Sequence, residues 1–172
     1  MRVNIVDYEV LNPLAEIEKS EIKKASIPEK IKRIVLLDNT KPNADQILDT
    51  IRKNLDHIDF YNVKKPAGAP ATSNQIKQAS KSDITILAVG DCGSCTTWVI
   101  LDAIRLEKEG TSTISICSDS FTAFAHDLAK AHGIDDLKIV EIEHPIAGQS
   151  QKDVENKALK IIPEILTILN GE

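Results

Sequence analysis

Asp83-Ile84-Thr85-Ile86-Leu87-Ala88-Val89-Gly90-Asp91-Cys92-Gly93-Ser94-Cys95-Thr96 begins as a β-branched apolar run, reaches a glycine and continues into a C-x-x-C. Trp98-Val99-Ile100-Leu101-Asp102-Ala103-Ile104-Arg105-Leu106-Glu107 then takes over with helical composition. The stretch reads as strand, tight turn and helix. A continuous apolar run suits a strand covered on both faces, as in a parallel sheet. The turn would set both sulfurs at the first turn of a helix, where unpaired N–H groups and the positive end of the helix dipole favour a thiolate.

The same alternation extends in both directions. Upstream, Arg33-Ile34-Val35-Leu36-Leu37-Asp38 is a second apolar run, followed by the loop Asn39-Thr40-Lys41-Pro42-Asn43. Ala44, Ile47, Leu48, Ile51 and Leu55 then fall on one helical face, with Asn43 as the expected N-cap. Ile58 to Val63 reads as a strand, Lys65 to Pro70 as a loop, and Thr72 to Ser80 as a short helix. Downstream, Gly110 stands where a C-terminal cap belongs. Thr113 to Cys117 reads as a strand, Ala123 to His132 as a helix ended by Gly133, and Leu137 to Ile142 as a last strand broken by His144-Pro145. Val154, Ala158, Ile161, Ile165 and Leu169 describe a final helix, which Pro163 is expected to kink or divide.

Strands alternating with helices imply one doubly wound, mostly parallel five-stranded α/β sheet of the flavodoxin or Rossmann type, because parallel neighbours need helical crossovers. The expected strand order is 2-1-3-4-5, which places the first and third strand-to-helix loops at the topological switch point. Lys41 and the cysteines would then face one another across a crevice. Residues 31–172 form this single domain, and no repeat or linker divides it. Residues 1–30 read as an N-terminal arm, with a short strand over 3–10, a weakly amphipathic helix around Leu14, Ile17 and Ile22, and a stop at Pro28. The arm would pack on the domain or on a second subunit, which leaves a homodimer open.

At 172 residues with 27% charged and 42% hydrophobic residues, the composition is that of an ordinary globular protein. A net charge of -5 argues against a nucleic-acid partner. No apolar run reaches a membrane span and no signal segment opens the chain, so a cytoplasmic location without membrane attachment is expected. Neither G-x-G-x-x-G nor G-x-x-x-x-G-K-[ST] occurs, and no cofactor is expected.

Three cysteines, two of them in a C-x-x-C, read as redox or metal chemistry rather than a secreted disulfide framework. As a thiol pair, Cys92 is the more exposed nucleophile and Cys95 resolves its adduct by forming the Cys92–Cys95 disulfide. Asp91 would oppose thiolate formation unless its side chain turns away or acts as a base. As a metal site, Cys92, Cys95, Cys117 and His144 could supply four zinc ligands, but the second C-x-x-C is absent and Cys117 at a strand end suits a small buried hydrophobe. Metal is therefore not the reading adopted. Asn39, Lys41, Asn43 and Ser118 lie on rim loops suited to binding a small polar substrate, Lys41 would also depress the Cys92 pKa, and His144 could donate a proton. Trp98 reads as core; His126 and His132 read as surface.

Five blocks carry a resemblance: Leu37-Asp38-Asn39-Thr40-Lys41-Pro42-Asn43-Ala44-Asp45, Val89 to Thr96, Asp102-Ala103-Ile104-x-Leu106-Glu107, Ile116-Cys117-Ser118-Asp119-Ser120-Phe121 and Glu143-His144-Pro145-Ile146-Ala147-Gly148. Together they resemble the UGSC family, whose members carry selenocysteine-Gly-Ser-Cys, or the all-cysteine version, at this turn. The run from the cysteines to the His-Pro block is more distantly similar to the selenoprotein B component of glycine, sarcosine and betaine reductases. The family's selenocysteine position falls on Cys92, which the resemblance thus implies as the attacking atom. The reductase likeness implies attack on an electrophilic carbon and reductive release by a thiol. The function expected is a thiol-dependent oxidoreductase acting on a small polar electrophile, with a thiol reductant or redox partner protein. The alternatives are a non-catalytic small-molecule or metal-binding module and a redox subunit of a multi-protein reductase.

Overall fold

The computed structural model describes residues 22–171. Five strands alternate with five helices: β1 Arg33–Asp38, α1 Ala44–Lys53, β2 Asp59–Lys64, α2 Ser73–Ala79, β3 Ile84–Gly90, α3 Gly93–Lys108, β4 Ser112–Ser118, α4 Asp119–Ala131, β5 Ile139–Ile142 and α5 Gln151–Leu169. The sheet is all parallel with the order β2-β1-β3-β4-β5 expected from the sequence. Every residue of β3 and β4 is buried, as continuous apolar or small-residue runs require at the centre of such a sheet.

Side-chain alternation along these strands feeds two cores. Ile34, Leu36, Ile86, Ile114 and Ile116 face α1 and α5, while Val35, Leu37, Leu87 and Cys117 face α2, α3 and α4. The helix ends follow local chemistry. Thr72 and Gln75 make a reciprocal capping box at the start of α2. Gly110 ends α3 at φ 85, with its N–H on the Glu107 carbonyl and that of Thr111 on Leu106, and Gly133 ends α4 in the same way at φ 88. Pro163 does not divide α5, which runs unbroken from Gln151 to Leu169. Both Pro163 and Leu159, whose carbonyl loses its helical donor, lie on the exposed face, where water can satisfy that oxygen.

The strand expected over 3–10 and the helix around Leu14 and Ile17 fall outside the described residues. Residues 22–30 carry no regular structure and pack on the domain itself. The Ile22 N–H donates to Gly133 O at 2.9 Å, the Ala25 N–H donates to Glu107 Oε2 at 2.6 Å, and Lys24 pairs with Asp136. No described helix is long and apolar enough to cross a membrane.

At the carboxyl end of β3 the ladder to β4 slips: Ala88 pairs with Ile116 and Gly90 with Cys117, leaving Val89 out of register. Asn39, fully buried, takes over both of its peptide groups. Its Nδ2 donates to Val89 O at 2.9 Å, and its Oδ1 accepts from the Val89 N–H at 3.1 Å. An unpaired buried peptide group costs about 1–3 kcal/mol. Asn39→Ala is therefore expected to lower unfolding stability by about 2–4 kcal/mol in urea titration, the sum of two such losses partly relieved by water. Asn39→Asp should lose at least as much, because it sets a buried carboxylate oxygen against the Val89 carbonyl that Nδ2 now satisfies.

Candidate functional site

The strand-to-helix turns gather on the carboxyl rim of the sheet, and only Asp91 and Cys92 separate β3 from α3. A Cβ on Gly90 would sit 2.8 Å from Cys117 Sγ, 2.8 Å from Thr96 Oγ1 and 3.2 Å from Thr96 Cα. Only glycine lets the first turn of α3 approach the strand this closely. Cys92 occupies the N-cap position in extended conformation, and Cys95 lies one turn on. Their sulfurs are 2.8 Å apart and unbonded, so a small closing movement separates the dithiol from a disulfide of ~2.05 Å.

The two thiols differ sharply. Cys92 is half-buried and Cys95 is buried. Burial alone would raise the Cys92 pKa, yet the Cys95 thiol, the Cys95 backbone N–H, the Ser94 hydroxyl and the Lys41 charge together bring it below its ordinary value. Burial, the hydrogen bond to Cys92 and the Cys92 charge push Cys95 up to about 11. Cys117, facing the core at the end of β4, is pushed up to about 12 by burial.

Lys41 reaches this pair from the β1–α1 loop, with Nζ 3.6 Å from Cys92 Sγ. Burial works to lower its pKa, but the charges of Cys95 and Cys92, the hydrogen bond to Cys92 and the charge of Asp91 together raise it. The loop is held rigidly. Thr40 is left-handed at φ 54, an unusual conformation for a β-branched residue; its N–H donates to Asp38 Oδ1 at 2.7 Å and its hydroxyl to Lys65 O at 3.0 Å. The Lys41 N–H donates to Asn39 Oδ1 at 3.2 Å.

Asp91, next to Cys92, turns away from it. Its carboxylate accepts from the Ile146 N–H at 3.2 Å and from the Ala147 N–H at 2.9 Å, and lies 3.0 Å from His144 Nδ1. Ser118 Oγ donates to Gly90 O at 3.3 Å and stands 3.2 Å from the same His144 nitrogen. With two acceptors facing Nδ1, that nitrogen carries a proton, and Nε2 is the ring nitrogen left for other partners. Because Ser118 shares Nδ1 with Asp91 and is fully buried, these three groups are not a nucleophilic triad. The His144 side chain is 35% exposed, and its ring rests against Phe121 at 5.9 Å between centroids.

Of the residues expected from the sequence, the structure brings Cys92, Cys95 and Lys41 into contact and joins His144 to Ser118. Two rim asparagines have other work. Asn39 is buried with its amide spent on Val89, which leaves it no contact to offer a substrate. Asn43 stands at the N-cap position of α1 at φ 71 without capping; its Nδ2 donates to Ile146 O at 2.9 Å and Gln149 O at 3.1 Å, tying two rim loops together. Trp98 is half-buried rather than core, whereas His126 and His132 are exposed as expected. Among the described residues no three His, Cys, Asp or Glu converge to hold a metal ion. A groove of about 430 Å³ lined by Arg33, Val35, Tyr61 and Lys81 contains none of these groups.

Sequence reasoning treated Asp91 as an obstacle and passed over the buried pair of Lys65 and Asp102 beneath the turn. The only signals for that pair were a lysine just after β2 and an aspartate two turns beyond Cys95 on α3.

The model of the UGSC family matches residues 9–171. No curated protein matches the chain. Among solved structures, adenylate cyclase from Rhodopirellula baltica is 17% identical with a TM-score of 0.41, covering 80% of this chain and 94% of that one. The FMN-dependent NADH-azoreductase from Bacillus anthracis in complex with FMN is 11% identical with a TM-score of 0.41, covering 81% and 99%. A flavodoxin-like domain from Synechococcus is 9% identical with a TM-score of 0.41, covering 79% and 99%. These are distant likenesses of shape.

Removing the Lys41 charge should raise the Cys92 pKa and so lower the thiolate fraction near neutral pH. Lys41→Met is expected to slow alkylation of Cys92 at pH 7 by roughly three- to tenfold. The midpoint of the rate against pH should move upward, as followed by peptide mass spectrometry.

Proposed function

The chain belongs to the UGSC family, and from that premise we propose that it is a thiol-dependent oxidoreductase in which Cys92 attacks a small electrophilic substrate and Cys95 resolves the adduct. The observation that carries this reading is the asymmetry of two sulfurs 2.8 Å apart. One is accessible, paired with a lysine and biased toward thiolate; the other is buried and held as the thiol. An arrangement serving only to bind a ligand needs no such division.

The chemistry balances as follows. The Cys92 thiolate attacks a carbon activated by an adjacent carbonyl group, forming an S–C bond and expelling the leaving group with its electron pair. Cys95 gives up its proton, and its thiolate attacks the Cys92 sulfur, forming the S–S bond and breaking S–C. The carbon departs as an enolate and takes up a proton. His144 is suited to carry that proton on Nε2, since its Nδ1–H is fixed by Asp91 and Ser118. The substrate gains two electrons from the two thiols, and an external thiol reductant returns the disulfide to the dithiol. Lys41 beside Cys92 favours substrates that carry a carboxylate or another anionic group.

Alkylation at mildly acidic pH should label Cys92 first, with Cys95 and Cys117 far behind. In protein recovered from its native cells, Cys95→Ser should retain a covalent adduct on Cys92 whose mass identifies the substrate fragment, while Cys92→Ser should carry none. Equal slow labelling of all three cysteines would overturn the reading.

A further inference from the structure

Beneath the C-x-x-C lies an ion pair taken wholly out of water. Lys65 and Asp102 are both 0% exposed, with Nζ 2.6 Å from Asp102 Oδ2. The remaining Lys65 donors reach Ala69 O at 2.9 Å and Trp98 O at 3.5 Å. Asp102 also accepts from the Ala71 N–H at 2.9 Å and from Arg105 at 3.1 Å. Cys95 and Asp102 stand seven residues apart on α3 and so share a face, and the contacts with Asp102 and the Trp98 carbonyl set the ammonium against the stretch of helix that follows Cys95. Two cations facing one carboxylate leave the cluster net positive. Burying such a pair costs several kcal/mol per ion before the attraction is counted, and apolar replacements are often neutral or stabilising. Stability alone is therefore a poor reason for it.

We propose that Lys65 is a positioning residue for Cys95: a buried cation, clamped by Asp102 on the same helix face, that favours the Cys95 thiolate when this thiol must attack the Cys92 adduct. The inference rests on the reading of Cys92 as nucleophile and Cys95 as resolving thiol. Every donor of Lys65 is occupied, so it acts on Cys95 through its charge. The other charged or titratable groups around Cys95 are Cys92 and Asp91 at the β3–α3 turn, Lys41 from the β1–α1 loop, Asp102 and Arg105 along α3, and Cys117 at the end of β4. At rest the Cys92 thiolate keeps Cys95 protonated. Once Cys92 is bound to substrate its negative charge is gone, and Lys41 and Lys65 remain to stabilise the second thiolate. Burial lowers the Lys65 pKa, while the hydrogen bond and charge of Asp102 and, behind them, the charge of Cys95 work to raise it. The Lys65 backbone is joined to the Lys41 loop as well, through its N–H to Asp38 O at 2.8 Å and its carbonyl to the Thr40 hydroxyl.

The test uses an aromatic disulfide of the nitrobenzoate type on the reduced full-length protein in stopped flow. The Cys92 thiolate attacks one reagent sulfur, forming a mixed disulfide and expelling the first aromatic thiolate. Cys95 loses its proton to water and attacks the Cys92 sulfur, forming the Cys92–Cys95 disulfide and expelling the second. The two electrons given up by the cysteines end on the two reagent sulfurs. In Lys65→Met the second phase should slow roughly tenfold at neutral pH and its pH midpoint should rise, with the first phase within about twofold of wild type. Lys65→Met/Asp102→Asn, which removes both charges while keeping an acceptor for the Ala71 N–H, should show a smaller shift in the same direction and carries the test if the single variant does not fold. A second phase with wild-type rate and midpoint in either folded variant overturns the inference alone, as does a slowing of both phases with no change of midpoint. Absence of a fast first phase in the wild-type protein overturns the thiol reading beneath it.

Discussion

The carboxylate of Asp91 is the interaction on which the rim depends. A negative charge one residue before a thiol would ordinarily hold that thiol protonated. Here the charge is turned into the β5–α5 loop and met by the N–H groups of Ile146 and Ala147 and by His144 Nδ1. One group thus relieves Cys92 of a repulsive neighbour and sets the tautomer of the histidine. Because β3 and β5 are separated by β4 in the sheet, this bond also closes the rim across a strand that neither residue belongs to.

Polar side chains bonded to backbone hold that centre, above an apolar core that Ile146 of the same loop enters. Asn39 replaces the ladder bonds that the slip at Val89 removes, and Asn43 binds the carbonyls of Ile146 and Gln149. Lys157 on α5 donates to Pro145 O at 2.9 Å. The His-Pro turn is therefore fixed from α5, from the β1–α1 loop and from the end of β3. A site held in this way keeps its charges in place without waiting for a ligand to order it.

The opposed environments of the two cysteines follow from where the α3 helix begins. Gly90 lets the helix start directly against the strand, so Cys92 remains at the surface within reach of Lys41 while Cys95, one turn later, is driven under it. Sulfurs with the same intrinsic chemistry are thereby given different proton affinities by burial and by the charges each can reach.

Strand runs, helix faces and the terminating glycines are local patterns, and they suffice to read from the chain the parallel sheet and the position of the C-x-x-C at the end of β3, while the order 2-1-3-4-5 comes from assuming a flavodoxin-like topology and is the order found. The crossover rule then carried Lys41 to the cysteines, because topology alone brings the first and third rim loops together. The work of Asn39, Asn43 and Asp91 was settled only in three dimensions, since their partners lie 50, 103 and 55 residues away. A polar side chain on a loop looks the same in sequence whether it will meet solvent, substrate or an orphaned peptide group. Lys65 shows the same limit most clearly: in the chain it is one of two adjacent lysines at a strand end, and burial against Asp102 decides which of the two carries a charge beneath the thiols.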